Sequence, residues 1–258
     1  MKKVMVLIGL FVLLMPFTSS ANLISDPGFE EFTYRSGTIP SDFGFWQGDY
    51  STILGCQNEV TPYNSKMLSF SYTNPEGFAN EWSLGEVWQL IDLSILGYYA
   101  DSDYFEVDAS ALFNRSSDSV NSIFGISIYA LSGNPEDTIS QIVDNTYLTH
   151  QYQLIATDND TDTWEEAHVS FVLPSGTEYL ALRVLAKEYP YNETSYGNLE
   201  FEGLYADNVY LNILDPEGNA LFQREQNQVA PVPEPSTMLL IGIGMIGLAG
   251  LRKRFTRT

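Results

Sequence analysis

Between Tyr104 and Phe113 apolar residues recur at every second position. Phe105, Val107, Ala109, Ala111 and Phe113 are apolar, while Glu106, Asp108 and Ser110 between them are polar. A β-strand sends successive side chains to opposite faces, so such a stretch has one buried face and one wet face. The pattern recurs at Ala167, Val169, Phe171 and Leu173, at Leu180, Leu182, Val184 and Ala186, and at Val209, Leu211 and Ile213. Met67 to Tyr72, Glu86 to Leu93 and Ile123 to Leu131 are further candidate strands. No long segment of period 3.6 lies between them, and polar turns with Gly and Pro separate them. Many strands punctuated in this way predict an all-β fold, an antiparallel β-sandwich or barrel.

Charge narrows the partners. Of the 12 Lys and Arg residues, two precede Val4 and four follow Leu251. Over 22–231 the six that remain face 32 of the 33 acidic residues, all but Glu234, so that stretch carries 6 − 32 = −26. Nucleic-acid binding rests on basic contacts to phosphate, and a body of this charge excludes it. An acidic exported protein that gathers divalent cations is consistent with it. Aromatic residues make up 14% of the chain, against the composition of a disordered one. Cys56 is the single cysteine, so no disulfide staples the fold from within.

Both ends read as targeting segments. Lys2 and Lys3, the apolar run Val4 to Met15, and the small residues Ser19 and Ala21 describe a secretory signal peptide over 1–21. Export of this kind implies the Sec translocon as a partner, with the mature chain starting near Asn22. The strand pattern then fills 22–214. Over 215–231 it lapses into a polar, proline-containing linker broken only by Ala220-Leu221-Phe222. Residues 237–251 hold no charge, and Arg252, Lys253, Arg254 and Arg257 follow. As a helix at about 1.5 Å per residue this run reaches little more than ~20 Å, short for a hydrocarbon core of about 30 Å. Thinning or snorkelling accommodates the mismatch. The basic end stays in the cytoplasm, which puts the acidic body outside, in agreement with the signal peptide. Gly242, Gly244 and Gly247 match a dinucleotide-binding glycine pattern, but no second strand or carboxylate follows them, and the nucleotide reading fails.

Val232-Pro233-Glu234-Pro235, the Gly-rich apolar span and Arg252-Lys253-Arg254 stand in order at the C-terminus. Together they resemble the PEP-CTERM sorting signal, recognised by an exosortase. The resemblance implies transient anchoring in the inner membrane of a Gram-negative cell. Processing near Val232, Pro233, Glu234 and Pro235 then delivers the body to the cell surface or extracellular matrix.

A second resemblance covers the body. Asn22-Leu23-Ile24-Ser25-Asp26-Pro27-Gly28-Phe29-Glu30, Asn64 to Phe70, Val87-Trp88-Gln89-Leu90-Ile91 and Tyr205 to Leu211 fall in an order similar to carbohydrate-binding modules with the galactose-binding-like jelly roll. That resemblance implies first and last strands lying together, so that Glu30 and Asp207 share a structural calcium ion. Calcium prefers several oxygen ligands, and two carboxylates suit it. Fold alone grants no sugar binding.

Other candidate sites come from residue type. Flat rings near loops suit the apolar faces of sugars: Trp46, Trp82, Tyr189 and Tyr191, with Tyr50, Tyr98, Tyr99 and Tyr196 behind them. Large aromatics also fill sandwich cores, where Trp88 and Phe105 belong. Asp158, Asp160 and Asp162 look like the start of a calcium loop, but Thr163 and Val169 replace its glycine and glutamate. A solvated turn is the better reading. His168 alternates with core residues and faces solvent, His150 has no evident role, and Cys56 has no partner base. Nothing here selects a nucleophile or an acid–base pair. The sequence thus predicts a non-catalytic exported surface or matrix protein associated with exopolysaccharide and biofilm. A specific carbohydrate-binding module and a glycan-active enzyme are the rival readings.

Overall fold

A computed structural model describes residues 22–31, 35–57, 60–71, 83–94, 104–117, 122–158, 160–188 and 203–221. The signal peptide, the sorting motif, the basic end, Trp82, Tyr189 and Tyr191 lie outside them, as do Tyr98, Tyr99 and Tyr196. Among the described residues no helix is long and apolar enough to cross a membrane.

Eleven strands are described, in two sheets. β1 (Arg35–Ser36), β2 (Gln47–Gly48), β5 (Ser83–Asp92), β7 (Ser122–Leu131), β8 (Thr149–Ile155) and β10 (Tyr179–Glu188) form one, in the order β1-β2-β5-β10-β7-β8. β3 (Ser51–Leu54), β4 (Met67–Phe70), β6 (Glu106–Arg115), β9 (Glu165–Val172) and β11 (Leu204–Leu214) form the other, in the order β3-β4-β11-β6-β9. Every pairing is antiparallel except that of the two-residue β1 and β2.

The alternation read from the sequence decides which faces meet. Val107, Ala109, Ala111 and Phe113 of β6 point into one core with Phe124, Ile126 and Ile128 of β7 and Leu180, Leu182 and Val184 of β10. Phe113 and Phe124 touch across it, with ring centroids 5.3 Å apart. Burying each large side chain of this kind contributes roughly 1.5–3 kcal/mol, so the two sheets hold each other.

Two features were not evident in the sequence. A six-residue helix, α1 (Thr138–Val143), follows a 3-10 turn at Pro135–Asp137 capped by Asn134 Oδ1 on Glu136 N at 3.1 Å. It leans over the outer face of the six-stranded sheet, where Ile142 packs on a second apolar cluster: Trp88, Leu90, Tyr129, Leu131, Tyr179 and Ala181. The larger sheet is therefore covered on both sides at its centre. The second feature is β8, the edge of that sheet, whose core-side positions carry Gln151 and Gln153. The Gln153 carboxamide accepts the backbone N–H of His168 in β9 at 2.5 Å, tying the edges of the two sheets together. Polar groups directed inward at an edge also discourage pairing with another chain.

The two ends of the body meet. Leu23 N donates to Leu211 O at 2.9 Å, Leu211 N to Asn22 Oδ1 at 3.0 Å, and Val209 N to Pro27 O at 2.8 Å. Ser25 reaches the other sheet, exchanging bonds with the Gln89 carboxamide at 2.8 and 3.0 Å. The N-terminal segment thus lies along β11 and bridges the sheets. Beyond β11, Asp215 caps a turn through Asn219, and Leu221 N returns to Ile213 O at 2.8 Å.

Candidate functional site

Two places combine charge with burial. The first is the junction of the ends. A bulge in β11, with Asn208 at φ 46°, shifts the register between Asp207 and Tyr210. It leaves the Asp207 carboxylate fully enclosed, 0% exposed. Its Oδ2 accepts Tyr63 N at 2.8 Å and its Oδ1 accepts Asn208 N at 2.6 Å. Burial nevertheless pushes its pKa up to about 6, and the neighbouring Glu30 carboxylate adds to the rise. Glu30 accepts Ser65 N at 2.8 Å and Lys66 N at 3.0 Å, together with the Ser65 hydroxyl. Those donors, the hydroxyl first, hold the Glu30 carboxyl below its ordinary value. Lys66 Nζ sits on the Glu30 carbonyl at 2.6 Å. Gly28 lies between the two carboxylates; a Cβ there would stand 2.9 Å from Asn64 Nδ2 and 3.6 Å from both Asp207 Oδ1 and Glu30 Cγ.

The carboxylate, carbonyl and hydroxyl oxygens there are of the kind a hard cation takes, and the Lys66 ammonium already occupies one of them, the Glu30 carbonyl. Among the described residues no three His, Cys, Asp or Glu side chains form a metal cluster, so backbone or hydroxyl oxygens would have to complete any shell.

The second place is the outer face of the six-stranded sheet. Register puts Trp88, Arg183, Ser127 and Tyr152 in one row across it, and Leu90, Ala181, Tyr129 and His150 in the next. Arg183 binds Ser127 Oγ through Nε at 2.9 Å and Glu86 Oε2 through Nη1 at 3.2 Å, with its guanidinium carbon 5.1 Å above the Trp88 ring. Trp88 Nε1 donates to Glu86 Oε1 at 3.0 Å. Tyr129 stacks on His150 at 3.9 Å, and His150 on Tyr152 at 5.5 Å. These rings cover one another's faces, which leaves Tyr152, 61% exposed, at the open end. His150 Nε2 is enclosed with no hydrogen-bond partner among the described residues. Burial first, and then Arg183, lowers the pKa of that imidazole.

Beside this row lies a cleft of about 250 Å³, lined by Thr38, Ile39, Asp49, Glu86, Trp88 and Ile139, among others. Both of its walls are fastened. Gln47 Nε2 donates to Thr38 O at 3.1 Å, while Thr138 Oγ1 meets the Tyr179 hydroxyl at 3.1 Å beneath α1. Gly48 lets β2 approach β5 so closely that a Cβ would fall 2.2 Å from Glu86 O. Only glycine tolerates backbone contact of that kind.

The sequence candidates divide accordingly. Glu30 and Asp207 are brought together. Trp46, expected to face a sugar, is instead core. It is 1% exposed, packed on Phe29 at 5.1 Å, and its Nε1 donates to Asp26 O at 3.1 Å. An indole whose one polar atom has a backbone partner is stable inside, which explains the reversal. Tyr50 is 57% exposed. Asp158 and Asp160 each accept the N–H two residues on, at 2.8 and 3.0 Å, so that loop is a run of Asx turns. His168 faces outward against Asp108 at 2.5 Å. Glu86, Arg183 and the His150 stack were missed. An arginine between Leu182 and Val184 in an otherwise apolar strand was the available signal.

Residues 231–254 match the model of the PEP-CTERM protein-sorting motif. The chain carries a PEP-CTERM sorting motif. With that signal it is an exported protein, membrane-anchored before processing by an exosortase. No curated protein matches it in sequence. Among solved structures it is similar to TmCBM61 in complex with beta-1,4-galactotriose, at 12% identity and TM-score 0.41, covering 74% of this chain and 98% of that one. It is similar to the CBM22-1–CBM22-2 tandem domain of Paenibacillus barcinonensis Xyn10C, at 15% identity and TM-score 0.38, over 76% of this chain and 50% of that one. The enzymatically active domain of tailspike protein 4 of bacteriophage CBA120 matches at 12% identity and TM-score 0.38, over 78% of this chain and 22% of that one.

Proposed function

We propose that this is a non-catalytic surface or extracellular-matrix protein, exported through the Sec translocon, released by an exosortase and associated with exopolysaccharide in a biofilm. Its parts are a signal peptide over 1–21, a jelly-roll sandwich of the galactose-binding-like type, a linker within 215–231, and the sorting signal with its short membrane helix. The observation that carries the reading is the sorting motif at 231–254. Arg252, Lys253 and Arg254 keep the end of the helix in the cytoplasm, so the acidic body lies outside. Replacing Pro233, Glu234 and Pro235 together by alanine is expected to leave uncleaved protein in the inner membrane, read by fractionation and immunoblot. Normal maturation of that variant would sink the exosortase step.

A structural calcium ion held by Glu30 and Asp207 belongs to the same reading. What supports it is two carboxylates on either side of Gly28, one of them fully buried and raised in pKa by burial first and by the like charge of the other last. The ion would neutralise that like-charge contact and fasten the first segment to β11. An unchanged melting midpoint after chelation would end this part of the proposal.

A further inference from the structure

The cleft beside Trp88 has a chemistry of its own, and it deepens the polysaccharide reading on which it rests. At about 250 Å³ it falls below the ~300–1,000 Å³ typical of pockets that engulf a drug-sized molecule. It therefore has room for one ring-sized unit of a longer polymer. Ile39 and Ile139 supply apolar contact, while Trp88, 2% exposed beneath Arg183, closes the cleft with its edge. The polar lining is dominated by acceptors: Glu86 and Asp49 are carboxylates, and Asp49 Oδ2 already holds Glu86 N at 3.1 Å. The guanidinium nearby, Arg183, is engaged by Glu86 and Ser127. An entering hydroxyl can donate to these carboxylates, whereas an entering carboxylate or sulfate would meet like charge here and from residues 22–231, of net −26.

We infer that this cleft is a subsite for a single sugar residue bearing no acidic group, and that it rejects uronic-acid and sulfated polymers. The walls are fixed beforehand by the Gln47–Thr38 and Thr138–Tyr179 bonds, so little ordering is lost on binding. The specificity is built by exclusion as much as by attraction.

Ile139 offers a clean probe, because it lines the cleft yet is 43% exposed, and a long charged side chain there blocks the opening without entering a core. Val143 of the same helix, 71% exposed and not among the residues that line the cleft, is the control. Full-length protein in detergent would be run through gels containing a neutral β-glucan, a neutral galactan or a polyuronate, at low and high salt. The expected result is retardation by at least one neutral polymer, weakened tenfold or more by Ile139→Arg and unchanged by Val143→Arg. The polyuronate should give no retardation at either salt concentration. Equal retardation of the two variants would remove the cleft as the subsite while leaving polysaccharide binding intact. Polyuronate retardation as strong as that of the neutral polymers would overturn the exclusion of acids. Wild-type protein that no polymer retards would take the polysaccharide reading down with it.

Discussion

The outer face of the large sheet and the junction of the chain's ends each bury charged groups, and they resolve the cost in opposite ways. On the sheet, Glu86 faces Arg183 at 3.2 Å, and both retain a partial view of solvent. At the junction, Asp207 is enclosed with another carboxylate, Glu30, across Gly28, and is compensated by backbone N–H groups. An opposite charge stabilises the ionised form, while enclosure beside a like charge opposes it. The contrast teaches that the sheet face pairs opposite charges with each other, whereas the junction holds a carboxylate that gains from a proton or a cation.

The sharpest way to break this contrast is Asp207→Ala, which strips the N–H groups of Tyr63 and Asn208 of their buried acceptor. Each unsatisfied buried donor costs about 1–3 kcal/mol, so a loss of roughly 3–5 kcal/mol is expected in denaturant unfolding. A loss under ~1 kcal/mol would show that the enclosed carboxylate holds little in place.

The pH dependence follows next in size. Because the folded pKa of Asp207 is raised from 3.8 to about 6, the native state binds the proton more tightly than the unfolded chain does. Its contribution is complete below the unfolded value and is lost as pH rises through about 6. Glu30, lowered below its ordinary value, works in the opposite sense and loses its contribution as the solution becomes more acid than that. In chelator, the unfolding free energy should therefore fall between pH 5 and pH 7 by an amount on the order of a few kcal/mol at most, and the melting midpoint with it. Asp207→Asn should flatten that fall, and added calcium should raise the midpoint more at pH 7 than at pH 5.

On the sheet the effects are smaller. Arg183→Ala removes bonds to Ser127 and Glu86 and the cation over Trp88, for an expected loss of about 1–3 kcal/mol. A double-mutant cycle with Glu86→Gln gives the share that belongs to the pair. Smallest of all, Tyr152→Ala at the open end of the ring stack should change stability by less than ~0.5 kcal/mol, as surface substitutions usually do. A large loss there would mean that the stack supports the edge strand.

These two regions also mark how far the sequence could be read. The strands β6, β9, β10 and β11 were legible because apolar residues recur at every second position, and β4, β5 and β7 because apolar-rich runs stand between polar turns. β1 and β2, two residues each, are too short to show a period, and the six residues of α1 complete fewer than two turns. β8 was hidden because the glutamines on its core side break the expected contrast between inner and outer positions. At the junction, Glu30 and Asp207 followed from resemblance in the flanking motifs; the bulge at Asn208 that encloses Asp207 left no comparable trace. Trp46 shows the reverse failure. Residue type suggested a binding surface, yet the Asp26 carbonyl and the Phe29 ring decided its direction.

The pairing of Asn22 and Leu23 with Leu211 has a consequence for the order of events during synthesis. These bonds join positions up to 189 residues apart, so the beginning of the body waits for its final strand before it can settle. Contacts so distant along the chain slow folding, because the intervening loop must close before they are made. A ribosome would have released nearly the whole body before its first segment found a place. The first residues of the body to be made are thus among the last to be fastened, and they stay unpaired until the final strand is complete.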